Sequence, residues 1–238
     1  MSDGEKTLGA ALPDWTPPEP PSSQSMQGRF VRVERLTRAH AAPLHAAFAP
    51  APDVWRYMPY GPFPSADSYA QWVDSVCDAD DPLFFALVPV STGLPAGVAS
   101  YLRIAPDAGS IEVGHIALSP SLQRTPAATE AMVLMMTRAF NAGYRRFEWK
   151  CNALNLASRR AAERLGLSYE GVFRQATVVK GRNRDTAWFA AIDREWLALK
   201  TAFDTWLDLK NFDAAGHQRQ RLSDLTRPIL AARDPALS

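Results

Sequence analysis

Along the chain the apolar positions change period several times, and each change predicts a new element. Gly28 to Leu36 (GRFVRVERL) reads as an edge-like strand with period-two character. Thr37 is then an N-cap for a helix whose stripe is Leu44, Ala47 and Phe48. Trp55 to Phe63 is aromatic but interrupted by Pro59, Gly61 and Pro62, so it forms a loop rather than a continuous helix. Ser65 caps a second helix carrying Tyr69, Trp72, Val73 and Val76. The runs PLFFALVPV, GVASYLRI and SIEVGHIAL, parted by Thr92-Gly93 and Asp107-Ala108-Gly109, predict an antiparallel meander.

Beyond the meander, Thr129 to Asn141 is apolar on nearly every side, which suits a buried helix ending at Gly143. Phe147, Trp149 and Cys151 alternate with Glu148, Lys150 and Asn152 in a strand, and a helix from Leu156 to Leu165 stops at Gly166. Two strands, near Tyr169 to Val179 and Thr186 to Ile192, flank a polar turn at Gly181-Arg182-Asn183. Arg194 to Leu209 places Trp196, Leu199, Phe203, Trp206 and Leu207 at helical spacing. The order predicts one mixed α+β domain with two βα units in its second half.

The ends read differently. Residues 1–27 hold Pro13, Pro17, Pro18, Pro20, Pro21 and a serine-rich run, too little apolar surface to offset ordering entropy, and are expected to form a flexible arm. The domain proper spans 28–197, and 198–238 is expected as the aromatic helix followed by a loose tail. Lys plus Arg at 26 against Asp plus Glu at 25 gives a net charge of +1, which excludes a global field for nucleic acid or anionic membranes. Two cysteines, Cys77 and Cys151, exclude a disulfide-dense scaffold, and no cluster has metal-ligand spacing. The acidic start lacks a signal-peptide pattern and no apolar run reaches about 18 residues, so a soluble, cytoplasmic protein is expected.

Two helix mouths could carry chemistry. The join between the third meander strand and the buried helix is Ile116 to Glu130, where small residues and Arg124 could cradle an anion at the positive end of a helix dipole. The same stretch is also a plain connection, with Thr125 as N-cap and Pro126 at N1. Thirty residues on, Asn155 opens the second βα helix, Ser158 lies near its mouth, and Arg159 and Arg160 offer charge to a phosphate; the alternative is a cap with two solvated arginines.

Three ordered features resemble one family. They are Ile111-Glu112-Val113-Gly114-His115 with Gln123-Arg124-Thr125-Pro126-Ala127-Ala128; Asn152 to Ser158 before a helix ending Glu163-Arg164-Leu165-Gly166-Leu167; and Tyr169-Glu170-Gly171 with Asn183-Arg184-Asp185 in a closing hairpin. From about Gly28 to Trp196 the chain resembles the GCN5-related N-acetyltransferases (GNAT), in the branch of the RimJ and RimL type. The resemblance implies a mostly antiparallel sheet whose parallel pair splays into an acyl-CoA cleft, with helices on both faces. It departs at Pro126, where the family's loop glycine would supply an N–H.

The resemblance also implies roles. Ile116, Ala117 and Leu118 would bond the pantetheine arm of acetyl-CoA; Gln123, Arg124, Thr125, Ala127, Ala128 and Thr129 its pyrophosphate, with Asn155, Ser158 and Arg159 at the second mouth. A neutral amine would attack the thioester directly, with an oxyanion held by a backbone N–H near Ala117. Glu170 and Glu112 are the candidate bases, although either could be a strand carboxylate paired with an arginine such as Arg103 or Arg174. Ser158 resembles the hydroxyl near the CoA sulfur, and Trp55, Tyr57 and Tyr60 would line the acceptor side or, alternatively, cover the sheet. No metal is expected. The expected partner is an amine of unknown identity, a protein N-terminus or a small molecule, and the C-terminal helix could serve a homodimer. The rival reading is a non-catalytic acyl-CoA-binding module.

Overall fold

The computed structural model describes residues 9–237. Eight strands form one sheet: β1 (Met26–Gln27), β2 (Val31–Arg35), β3 (Leu83–Pro89), β4 (Gly97–Ala105), β5 (Ser110–Leu118), β6 (Arg146–Asn152), β7 (Ser168–Val179) and β8 (Arg182–Ile192). Their order is β1-β2-β3-β4-β5-β6-β8-β7, and every neighbouring pair is antiparallel except β5 with β6. That pair is parallel because α3 (Pro126–Asn141) carries the chain back across one face, a return that no hairpin can make.

The remaining helices are α1 (Ala41–Phe48), α2 (Ala66–Val76), α4 (Leu156–Arg164), α5 (Asp193–Leu207) and α6 (Leu222–Thr226). They cover both faces of the sheet. On one face Leu44, Phe48, Tyr69 and Val73 of α1 and α2 pack on Phe84, Ala86 and Val88. On the other, Ala131, Met135 and Met136 of α3, Ala162 of α4, and Leu199 and Phe203 of α5 pack on Phe85, Ile111, Val113 and Phe147. The alternation in β6 reports this division: Phe147, Trp149 and Cys151 join the α3-side core, while Glu148 and Lys150 point to the opposite face.

Two features of the sheet make a cleft. Parallel pairing begins at Ser110↔Arg146 and ends at Val113↔Trp149, although both strands continue. At the same level β5 carries a bulge. Ser100 pairs with Gly114 and Val98 with Ala117, leaving His115 and Ile116 opposite Ala99, with His115 at φ 51°. The extra residue turns β5 away from β6 where the pairing is lost.

Elsewhere the structure differs from the sequence reading. The β7–β8 hairpin is longer, because Arg182 to Asp185 form strand rather than turn and the reversal shrinks to Lys180 and Gly181, both with positive φ. Residues 1–8 of the expected arm lie outside the described residues. From 15 to 27 the chain lies against the domain: Arg145 stands over the Trp15 ring, Met26 is buried in β1, and Arg138 donates to the carbonyls of Ser22, Gln24 and Ser25. The expected loose tail is also packed, with Leu222, Thr226 and Asp234 each 1% exposed. Gly166 ends α4 at φ 80°, and a Cβ there would run into Leu199, so only glycine lets α5 approach.

Candidate active site

The opening between β5 and β6 holds two adjoining cavities that share Ile116 and Trp149. The larger, about 500 Å³, lies between the starts of α3 and α4 and is lined by Leu118, Thr125, Ala128, Thr129 and Ala157. Arg124, Arg160 and Arg164 stand around it. At the α3 start the Thr125 hydroxyl accepts from the Ala128 N–H at 3.2 Å and donates to the Leu122 carbonyl at 2.7 Å. Pro126 has no N–H. Among the described residues, the N–H groups of Arg124 and Ala127 have no hydrogen-bond partner. Arg124 holds φ 61°, which turns the loop tightly into the helix.

The smaller cavity, about 260 Å³, lies on the other side of Ile116, lined by Tyr57, Met58, Gly114 and His115 together with Asn152, Asn155 and Ser158. Asn155 caps α4 by accepting from the Ser158 N–H at 3.1 Å, and the Ser158 hydroxyl takes the Trp149 indole N–H at 2.9 Å. Ser158 thus stands at the junction of the two cavities. Tyr57 donates to the Leu154 carbonyl at 3.3 Å, and Lys180 of the β7–β8 turn donates to the Trp55 carbonyl at 2.8 Å. These two bonds tie the aromatic loop to both neighbouring walls.

Charged groups cross the sheet in a chain. Glu112 Oε2 accepts from Arg103 at 2.8 Å and pairs with Lys150 at 3.1 Å; Lys150 continues to Glu148 at 2.7 Å. Glu148 bonds Arg146 at 2.7 Å, and Arg146 holds both oxygens of Glu170 at 2.7 and 2.5 Å. Glu112 is the one carboxylate among the residues lining the smaller cavity; Glu170 is at the far end and does not reach it.

Comparison with known proteins identifies this arrangement. The profile of the Acetyltransferase (GNAT) domain matches residues 31–168. A GCN5-related N-acetyltransferase from Brucella melitensis is 44% identical, covering 91% of this chain and 100% of its own, with a TM-score of 0.89. The chain belongs to the GNAT acetyltransferase family. A GNAT-family protein from Chromobacterium violaceum is 36% identical over 80% of this chain and 97% of its own, TM-score 0.76. RimL, a ribosomal L7/L12 alpha-N-protein acetyltransferase, is 22% identical over 69% of this chain and 91% of its own, TM-score 0.60, a likeness of fold alone. No curated protein matches the chain.

Within this GNAT enzyme most of the expected cofactor residues meet at the larger cavity: Ile116, Leu118, Arg124, Thr125, Ala128 and Thr129 line it, and Ala117 and Ala127 are their neighbours. Gln123 turns back to donate to the Leu118 carbonyl at 2.9 Å. Three assignments change. Arg159 is 6% exposed and bonds Asp234 and the Ala153 carbonyl, so it faces the C-terminal segment rather than the cleft. Glu170 is held by Arg146 outside the cavity. Trp55 is 3% exposed among Phe48, Tyr60, Phe63 and Tyr69, making it core. Tyr57 lines the smaller cavity, and Tyr60 reaches it only through His115, whose Nδ1 is 3.1 Å from its hydroxyl.

Several site residues escaped the sequence reading. Arg164 follows Arg160 by one helical turn, a spacing that could have been read from the helix period. Lys150 was visible only as the polar side of a strand, and Arg184 only as part of the Asn183-Arg184-Asp185 stretch of the closing hairpin. Burial pushes His115 down to about 4, with the nearby Arg184 guanidinium adding to the effect, so the imidazole is neutral near pH 7. Burial raises the Tyr60 hydroxyl and the Cys151 thiol, leaving both protonated. Among the described residues no helix is long and apolar enough to cross a membrane, and no group of three His, Cys, Asp or Glu could hold a metal.

Proposed function

We propose that this GNAT acetyltransferase moves the acetyl group of acetyl-CoA to a primary amine by direct attack. The observation that carries the reading is the meeting of the two cavities at Ile116 and Trp149, with Ser158 at the junction. The larger one suits acetyl-CoA. The edge of β5 beyond Val113 is unpaired toward β6, so its backbone groups are free for the pantetheine amides. The free N–H groups of Arg124 and Ala127, with Arg124, Arg160 and Arg164, suit a pyrophosphate, and Pro126 costs one donor without closing the site. Acetyl-CoA supplies the acyl group as a thioester.

The remaining work falls to the chain. Oε2 of Glu112 is anchored by Arg103 and Lys150, while Oε1 has no partner among the described residues and is free to take the amine proton, directly or through water. Ser158 is placed to donate to the departing sulfur. The unpaired β5 edge holds the carbonyl oxygen, and orientation in a closed cleft contributes the rest. A RimJ/RimL-like placement and a reducing, cytoplasmic setting belong to the same proposal; the second rests on the free thiols Cys77 and Cys151.

The test is turnover. The protein incubated with acetyl-CoA and a panel of primary amines is expected to release CoA thiol in step with acetylated amine detected by mass spectrometry. Tight acetyl-CoA binding with no acetylated product from any amine would contradict transfer and favour an acyl-CoA-binding module.

A further inference from the structure

The acceptor cavity contains more positive charge than its own carboxylate balances. Arg103, Lys150 and Arg184 line it against Glu112. Two of the three are committed: Arg103 and Lys150 both bond Glu112, and Lys150 also bonds Glu148 and lies 3.5 Å from the centre of the Trp188 ring. Arg184 is different. Its Nε is buried without a hydrogen-bond partner, and the guanidinium makes no ion pair among the described residues. Its sequence neighbour Asp185 is occupied elsewhere, accepting from the Gln175 N–H at 2.7 Å and the Asn183 amide at 3.0 Å. His115 is neutral and adds no counter-charge.

A guanidinium remains charged when desolvated, and a buried donor of this kind persists where a ligand completes it. Resting on the transfer reading above, we propose that the acceptor amine also carries a carboxylate or phosphate, and that Arg184 binds this anion. The fork of N–H groups matches either anion at two points. The cavity of about 260 Å³ suits a small amino acid or aminoalkyl phosphate. A protein N-terminus offers an uncharged amide at the corresponding place. The positive surroundings also favour the neutral, attacking form of the bound amine.

The experiment uses matched acceptors: β-alanine and β-alaninamide, phenylalanine and phenylalaninamide, aminoethyl phosphate and ethanolamine. With the wild-type protein the anionic member of at least one pair is expected to have kcat/KM about tenfold or more higher, expressed in KM. Arg184→Gln should reduce that ratio to near one, Arg184→Lys should keep part of it, and neither should change acetyl-CoA affinity. A second readout is independent of turnover: titration of N-acetyl-β-alanine into the CoA-bound protein, expected to bind the wild type at least tenfold more tightly than Arg184→Gln. Turnover with equal use of both members of every pair, or a preference that survives Arg184→Gln, overturns the anion site alone. Arg184-dependent binding without turnover of any amine overturns the transfer reading and leaves the anion site standing. Absence of both overturns both.

Discussion

Arg159 and Asp234 form a buried two-point ion pair, Nε to Oδ2 at 2.6 Å and Nη2 to Oδ1 at 2.6 Å, with Asp234 1% exposed. The third arm of Arg159 donates to the Ala153 carbonyl at 2.7 Å, and the hydrogen bonds to Asp234 raise its pKa. Asp234 in turn receives the Ala236 N–H, and its own N–H donates to Glu163. The last residues of the chain therefore clamp both ends of α4, the helix whose first turn carries Ser158.

Removing one half of that pair should be severe. Asp234→Asn leaves a buried guanidinium without counter-charge and is expected to cost about 3–5 kcal/mol in denaturant unfolding. Arg159→Met combined with Asp234→Leu should recover most of this, because neither charge then remains buried. Equal stability of Asp234→Asn and the wild type would show that the tail is not held as described.

A second buried carboxylate joins the sheet edge to α3. Glu130 accepts the N–H groups of Arg29, Phe30 and Val31 at 2.9, 2.6 and 3.0 Å, and a Cβ on Gly28 would collide with it. Glu130→Ala strands three N–H groups and should lower stability by about 3 kcal/mol or more. Glu130→Gln, keeping one acceptor oxygen, should lose less. Hydrogen exchange at residues 29–31 would show the same order.

The two candidate bases separate cleanly. Glu170→Gln should leave kcat within about twofold of wild type, since Arg146 holds that carboxylate outside the cavity. Glu112→Gln should lower kcat by about a hundredfold with acetyl-CoA affinity unchanged. The opposite order in steady-state kinetics would restore Glu170 as the base.

His115 gives a pH signature. Its folded pKa of about 4 lies below the ordinary 6.5, so the neutral form is the stabilised one. That stability is complete above pH 6.5 and is lost as pH falls through 6.5 toward 4. Between pH 7.5 and 4.5 the wild type should therefore lose about 2–3 kcal/mol more than His115→Gln in urea unfolding. No inflection from His115 is expected in the rate between pH 6.5 and 8.

How far the sequence could be read depends on which signal each element left. The meander, α3 and α4 were legible because their periods and their caps, Thr125 and Asn155, agree. The residues around the α3 start could be singled out from the loop before it, while the roles expected of them came from the family resemblance. The tail was not legible: Leu222, Thr226 and Asp234 are spread over short helical turns with no period to find. Arg159 beside Arg160 reads as a surface pair until its partner 75 residues away is known. Charged residues on β6 and β8 carry no mark of the cavity either, since strand alternation gives the face and not what lies across it. Arg184 is the case in point.

The most direct measurement is calorimetric titration of CoA into the wild-type protein and into Ala128→Asp. The added carboxylate would sit at the third helical position of α3, where the helix dipole offsets part of the cost of a charge at a site 8% exposed, and the melting temperature of the variant checks that the fold is kept. At the same point it would repel a pyrophosphate. Wild-type binding weakened at least tenfold by Ala128→Asp, a loss of about 1.4 kcal/mol, is the expected result. Equal affinity in the two proteins, or no binding to either, would contradict the assignment of this cleft to acetyl-CoA.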